Sequence, residues 1–227
     1  MIPFGATWRY LDNGSNQGTA WRASTFVDDS WATGPAELGY GDGDEATVVS
    51  FGGDSNNKYT TTYFRRAFEV NDAAQFAGLR FQIIRDDGAV VYLNGTEVFR
   101  SNMPAGVVTY TTFASSALNV PAESTPVAAG AAAGLLVEGR NVVTVEIHQA
   151  NLTSTDISFD LELRAGPPVV TRGPYLQDGT TRGVVIRWRT DQPTNSRVRV
   201  GTSREDLSGI FDNAGVVTEH VVTVRGL

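Results

Sequence analysis

With 227 residues, 41% of them hydrophobic and 10% aromatic, the chain has enough apolar material for one large or two ordinary folded domains. It carries 18 basic and 25 acidic side chains, a net charge of −7, and no cysteine, which excludes disulfides, thiolate metal sites and a cysteine nucleophile. An acidic balance without a cationic cluster argues against nucleic acid as a partner, and no apolar run is long enough to span a membrane.

In chain order, period-two alternation and β-branched or aromatic runs dominate, and helical periodicity is almost absent. Tyr59 to Val70 reads as a strand, Leu79 to Arg85 as another, and Ala89 to Leu93 as a third. Asn94-Gly95 follows, a pair that tolerates positive φ at both positions, and then Thr96 to Arg100, so this segment is a hairpin with its tip at Asn94-Gly95. Asn141 to Gln149 and Ile157 to Leu163 alternate cleanly, which predicts one core face and one wetter face for each. Long excursions separate some strands: Asp12 to Thr19, Gly39 to Lys58 and Ser115 to Gly134. The last is alanine-rich but broken by glycine, and reads as either a short helical turn or a loop.

Residues 1–166 hold 10 basic and 19 acidic side chains, and residues 167–227 hold 8 and 6. The change of sign coincides with Gly166-Pro167-Pro168, which cannot continue a strand ladder, so a domain boundary is expected there. Beyond it, the Tyr175 region, Gly183 to Thr190, Ser196 to Gly201 and Thr218 to Val224 read as successive strands. The expectation is an all-β chain: a two-sheet jelly-roll sandwich over 1–166, then a second, incomplete β-sandwich over 167–227.

Two resemblances are carried by particular words. Trp21-Arg22, Asp28-Asp29-Ser30-Trp31, Gly34 to Gly41, Arg85 to Gly95 and Glu146-Ile147-His148-Gln149 resemble a galactose-binding-like jelly roll of the kind appended to bacterial glycosidases and metallophosphoesterases. Gly173-Pro174-Tyr175-Leu176-Gln177, Val184 to Thr190 and Ser196 to Gly201 resemble the fibronectin type III-like domain that precedes the catalytic domain of purple acid phosphatases, which implies an incomplete fibronectin type III-like β-sandwich over 167–227. Together they imply the non-catalytic N-terminal region of a secreted or periplasmic, purple acid phosphatase-like metallophosphoesterase. Its dinuclear metal centre would lie in a missing C-terminal catalytic domain, the expected partner of this chain, and no signal peptide opens the sequence. The alternative is a stand-alone carbohydrate-binding module, with a carbohydrate or cell-surface polymer as its partner.

Chemistry within the chain is sparse. The aspartates, asparagine and several histidines that hold two metals in the resembled phosphatases have no equivalent here, since His148 and His220 are the only histidines. Both read more simply as strand histidines held by hydrogen bonds. Asp42, Asp44 and Glu45 could hold a structural calcium ion, because hard cations favour clustered carboxylates in loops, although a solvated acidic loop needs nothing more than these residues. Asp86 and Asp87 could face a sugar, but Asp-Asp-Gly is also ordinary turn chemistry. Trp31, with Trp8 and Trp21, is a candidate stacking platform for a pyranose ring and, equally, a core residue. No catalytic residue is assigned.

Overall fold

The computed structural model describes residues 1–73, 76, 78–166 and 169–227. The fold is all-β; helical elements among the described residues include two three-residue 3-10 turns, Ala20–Arg22 and Ala133–Leu135. The chain divides into two compact units: Met1–Ala74 with Arg80–Arg164, and Ala165–Leu227 together with the short Gln75–Leu79 stretch. Of the expected boundary at Gly166-Pro167-Pro168, the two prolines lie outside the described residues.

The first unit is a sandwich of two sheets. Its strands are β1 (Thr7–Leu11), β2 (Ala32–Pro35), β3 (Leu38–Tyr40), β4 (Thr47–Val48), β5 (Thr61–Val70), β6 (Gly78–Asp86), β7 (Gly88–Leu93), β8 (Thr96–Ser101), β9 (Val127–Ala132), β10 (Gly139–His148) and β11 (Ile157–Gly166). One sheet runs β2-β1-β5-β10-β7-β8 and the other β4-β3-β11-β6-β9. Aromatic rings join them: Phe159 of β11 lies 4.3 Å from Phe64 of β5 and 4.9 Å from Trp8 of β1, centroid to centroid. Phe81, Ile83, Val91, Val143 and Val145 fill the same fully buried layer.

The hairpin turns at Asn94-Gly95, with φ of 50° and 87°, the left-handed pair that lets β7 and β8 pair without splaying. The Asn94 amide also donates to Leu135 O (3.0 Å) and Asn141 Oδ1 (2.8 Å), and its carbonyl accepts from the Val142 amide (2.9 Å), so the turn is tied to β10. The alanine-rich segment is neither wholly loop nor helix. It supplies β9 and then the Ala133–Leu135 turn.

The expectation of one wet face per strand fails for β10. Its inner residues Val143, Val145 and Ile147 face the sandwich core, and the alternate residues Thr144, Glu146 and His148 are buried as well. A third layer covers them: Trp21 and Trp31 pack with Tyr63, Val90, Tyr92 and Val108 on the outer face of the six-stranded sheet. Trp21 stands edge-on to Tyr63, with centroids 4.8 Å apart. Alternation alone cannot show this, because a loop laid over a sheet buries polar residues without changing their period.

The second unit is one antiparallel sheet of three strands, β12 (Val170–Thr180), β13 (Gly183–Val200) and β14 (Gly209–Arg225), in that order. The two strands expected at Gly183 to Thr190 and Ser196 to Gly201 are one continuous strand. Their separation survives as a register irregularity between the pairs Arg189↔Glu219, Thr194↔Val217 and Ser196↔Asn213. His220 is buried against Trp188, stacked at 4.7 Å, with its ring nitrogens 2.7 Å from Thr190 Oγ1 and 2.8 Å from Ser196 Oγ.

Candidate functional site

Two places in the first unit gather chemically active side chains. The first is a carboxylate centre at the junction of β6 and β7. Asp87 is a buried hub: Oδ1 accepts from the Leu118 amide (2.8 Å), and Oδ2 accepts from the Ala150 amide (2.7 Å) and the Ser154 hydroxyl (2.9 Å). Two distant loops, the β8–β9 and β10–β11 connections, therefore converge on one side chain. Its neighbour Asp86 is 1% exposed, and neither of its carboxylate oxygens has a hydrogen-bond partner. One oxygen each from Asp86, Glu123 and Asp156 lie within 4.8 Å of one another. Burial, followed by the charges of Asp87 and Asp156, pushes the Asp86 carboxyl up to about 9. Glu123 is raised for the same reasons, burial first and then Asp156, Asp42 and Asp87.

The second place is an open cleft of about 450 Å³ beside β1 and β5, lined by residues that include Arg9, Arg65, Arg66, Arg140, Asp28 and Asp29. Register explains its origin. Arg9 of β1 lies opposite Arg65 of β5 and opposite Thr33 of β2, so their side chains leave the sheet on one face. Arg65 is fully buried and clamps the loop that follows Trp21: Nε donates to Asp28 Oδ2 (2.8 Å), and the other nitrogens donate to the carbonyls of Trp21, Ala23 and Phe26. Arg9 completes the clamp, with Nε 3.3 Å from Asp28 Oδ1 and Nη2 3.5 Å from Asp29 Oδ1. Arg66 donates to the Thr7 carbonyl and exposed Arg140 to that of Ser24. Of the 10 basic residues within 1–166, four line this one cleft, a positive spot on an acidic unit.

The residues singled out from sequence fall as follows. Asp42, Asp44 and Glu45 do cluster, in a loop where both Glu45 oxygens already accept, from the Asp42 and Gly43 amides, at 3.0 Å each. Trp31 is 6% exposed, stacked on Trp21 and edge-on to Phe26, so its ring belongs to the covering layer. Asp86 and Asp87 lie side by side, yet one is a hydrogen-bonded hub and the other has no partner. His148 is fully buried, with Nδ1 2.8 Å from Thr112 O and 3.1 Å from Thr61 Oγ1. Its Nε2 lies 3.5 Å from Glu146, whose carboxylate also receives the Tyr92 hydroxyl (2.6 Å) and Arg22 (3.1 Å). Burial opposes the charge on Glu146, but the hydrogen bonds and charges of His148, Tyr92 and Arg22 overcome it and hold the carboxyl below its ordinary range.

Sequence reasoning missed Glu123 and Asp156, which are 37 and 70 positions from Asp86 and belong to no spacing motif. It also missed the cleft, although one signal was present. Arg65-Arg66 stands between the apolar pairs Tyr63-Phe64 and Ala67-Phe68, and a charge in the middle of a central strand asks for a partner.

No protein-family model matches the chain, and no curated protein matches it. Solved structures do. A calcium-binding mutant of Bacteroides uniformis β-glucuronidase 2 matches over 98% of this chain and 27% of its own, at 13% identity with a TM-score of 0.50. A β-glucuronidase from glycoside hydrolase family 2 matches over 99% and 26%, at 14% identity with a TM-score of 0.46. The β-glucuronidase of an uncultured Clostridium matches over 100% and 39%, at 13% identity with a TM-score of 0.46. The chain thus spans well under half the length of each. At these identities the likeness is one of fold.

The expectation of a purple acid phosphatase-like parent is corrected by these findings: the solved structures named above, which share the fold, are β-glucuronidases. With it fall the phosphatase domain name for residues 167–227 and the dinuclear metal partner. The physical reason is that a Gly-Pro turn and alternating Val, Ile and Trp are what any β-sandwich requires. Such words report the sandwich and are silent about the chemistry attached to it. No helix among the described residues is long and apolar enough to cross a membrane.

Proposed function

We propose that the chain is a non-catalytic, carbohydrate-binding accessory region, and that the arginine-lined cleft of the first unit takes a sugar bearing a carboxylate. The observation that carries this reading is the concentration of Arg9, Arg66 and Arg140 around one open hollow, whose lining also holds the Arg65–Asp28 ion pair. Arginine offers paired donors in a plane that match a carboxylate, and a charge-assisted pair of this kind is about twice as strong as a neutral hydrogen bond. A hollow of about 450 Å³ is of the size that small ligands occupy.

Catalysis finds no support at this place. Glycoside hydrolysis needs a pair of carboxyls free to act on either side of the scissile bond, whereas Asp28 and Asp29 are both engaged by arginine. Asp86, at 1% exposed, is shut away from any substrate. A fold shared with part of a glucuronidase is consistent with a supporting role in a larger carbohydrate-active protein.

Calorimetric titration of the full chain with oligogalacturonate and with a neutral xylo-oligosaccharide tests the reading. Binding is expected for the acidic oligomer alone, weakened about tenfold in Arg140→Gln and strengthened in Asp29→Asn, which removes a competing anion. Equal binding of both oligomers, or of neither, overturns it.

A further inference from the structure

Asp86 closes β6 with its carboxylate 1% exposed and both oxygens without a hydrogen-bond partner. An enclosed, unpartnered carboxylate is among the least favourable arrangements a folded chain can adopt, and it is tolerated when a cation or a proton neutralises it. The adjacent guanidinium does not serve: Arg85 donates to Ser101 Oγ (2.9 Å) and to the Ala122 carbonyl (3.1 Å). No ion pair reaches Asp86, Glu123 or Asp156 among the described residues. Instead, three more or less enclosed carboxylates meet, with one oxygen from each within 4.8 Å of the others.

We propose that Asp86, Glu123 and Asp156 form a calcium-binding site that staples the long loop between β8 and β9 to the ends of β6 and β11. The donor set is all oxygen, which selects a hard cation over zinc or copper. A calcium ion holds its ligands at roughly 2.3–2.6 Å, so oxygens on opposite sides of it are roughly 5 Å apart and adjacent ones nearer 3.5 Å. A trio within 4.8 Å fits that spread, and backbone carbonyls and water supply the remaining positions. Magnesium, at roughly 2.0–2.1 Å, demands a tighter octahedron and is the weaker occupant.

The location has a mechanical logic. Glu123 lies in the long segment between Ser101 and Val127, and Asp156 immediately precedes Ile157, the first residue of β11. Asp87 already gathers Leu118, Ala150 and Ser154 beside the same junction, so the cation adds a second fastening to the same loops. The site shares no residue with the arginine cleft and does not depend on glycan binding. It also differs from the exposed Asp42–Asp44–Glu45 loop, where Glu45 is already taken up by backbone amides.

The test is calorimetric and thermal titration of the full chain, stripped with a chelator, against calcium and magnesium. One calcium per chain is expected, bound at least tenfold more tightly than magnesium, with a rise in melting temperature of roughly 5 °C or more at a hundredfold excess over Kd. Asp86→Asn should weaken calcium binding at least tenfold, whereas Asp44→Asn in the exposed loop should leave it unchanged. Glu123→Gln, on the loop and remote from the strand core, reads the same loss should Asp86→Asn fail to fold. Absence of binding at millimolar calcium overturns the proposal. So does binding that survives Glu123→Gln and disappears in Asp44→Asn.

Discussion

Arg65 offers the sharpest test of how the covering layer is held. Its guanidinium is fully buried and serves Asp28 and the carbonyls of Trp21, Ala23 and Phe26, four points along the Trp21–Asp28 loop. Arg65→Met keeps much of the side-chain volume but leaves three carbonyls and one carboxylate without their donor. Breaking a buried ion pair by removing one partner costs about 3–5 kcal/mol. Asp28 retains Arg9 at 3.3 Å and is partly open to water, so the lower end applies, about 3 kcal/mol. That is a large fraction of the stability of a domain this size. Arg65→Lys should recover less than half of the loss, because one ammonium cannot span the same four acceptors. Urea unfolding followed by tryptophan fluorescence measures the cost, and amide exchange at Ala23 and Phe26 locates it. A loss below 1 kcal/mol, with exchange in the loop unchanged, would refute the idea that this arginine fastens the layer.

Two further outcomes follow from the same geometry. Asn94→Ala removes three side-chain hydrogen bonds and places a Cβ without compensation at φ 50°, for about 3–4 kcal/mol, and Asn94→Gly should be milder by about 1 kcal/mol; equal losses for the two variants would remove backbone strain from the account. The Glu146 carboxyl is held below its ordinary range in the folded state, so its contribution to stability is complete above that range and is lost as pH falls through the lowered value; urea midpoints measured from pH 7 to 3 should therefore decline less steeply in Glu146→Gln than in the wild-type chain.

What the sequence revealed was whatever is local. Asn94-Gly95 fixed a hairpin because two positive φ angles are needed at adjacent positions, and the alternation of Val143, Val145 and Ile147 identified the inner face of β10. What it concealed depends on contacts between distant residues. Thr144, Glu146 and His148 have the period of a solvent face, and only the tryptophan loop, more than 100 residues upstream, makes them interior. Asp86 and Asp87 are indistinguishable as letters, yet backbone amides surround one and acidic side chains from two remote segments surround the other. The phosphatase attribution failed for a related reason: its motifs were made of turn and strand residues, which many sandwiches share.

The ladder between β5 and β10 has a consequence for how the protein is made. Its partners are 69 residues apart at one end, Val70↔Gly139, and 87 at the other, Thr61↔His148. On a ribosome, β5 and β7 therefore emerge with unsatisfied edges and wait until His148 has been synthesised before the strand that joins them arrives. Closure across such separations is slow, so the interval of greatest vulnerability to misassociation falls during synthesis of the stretch between Leu93 and Gly139.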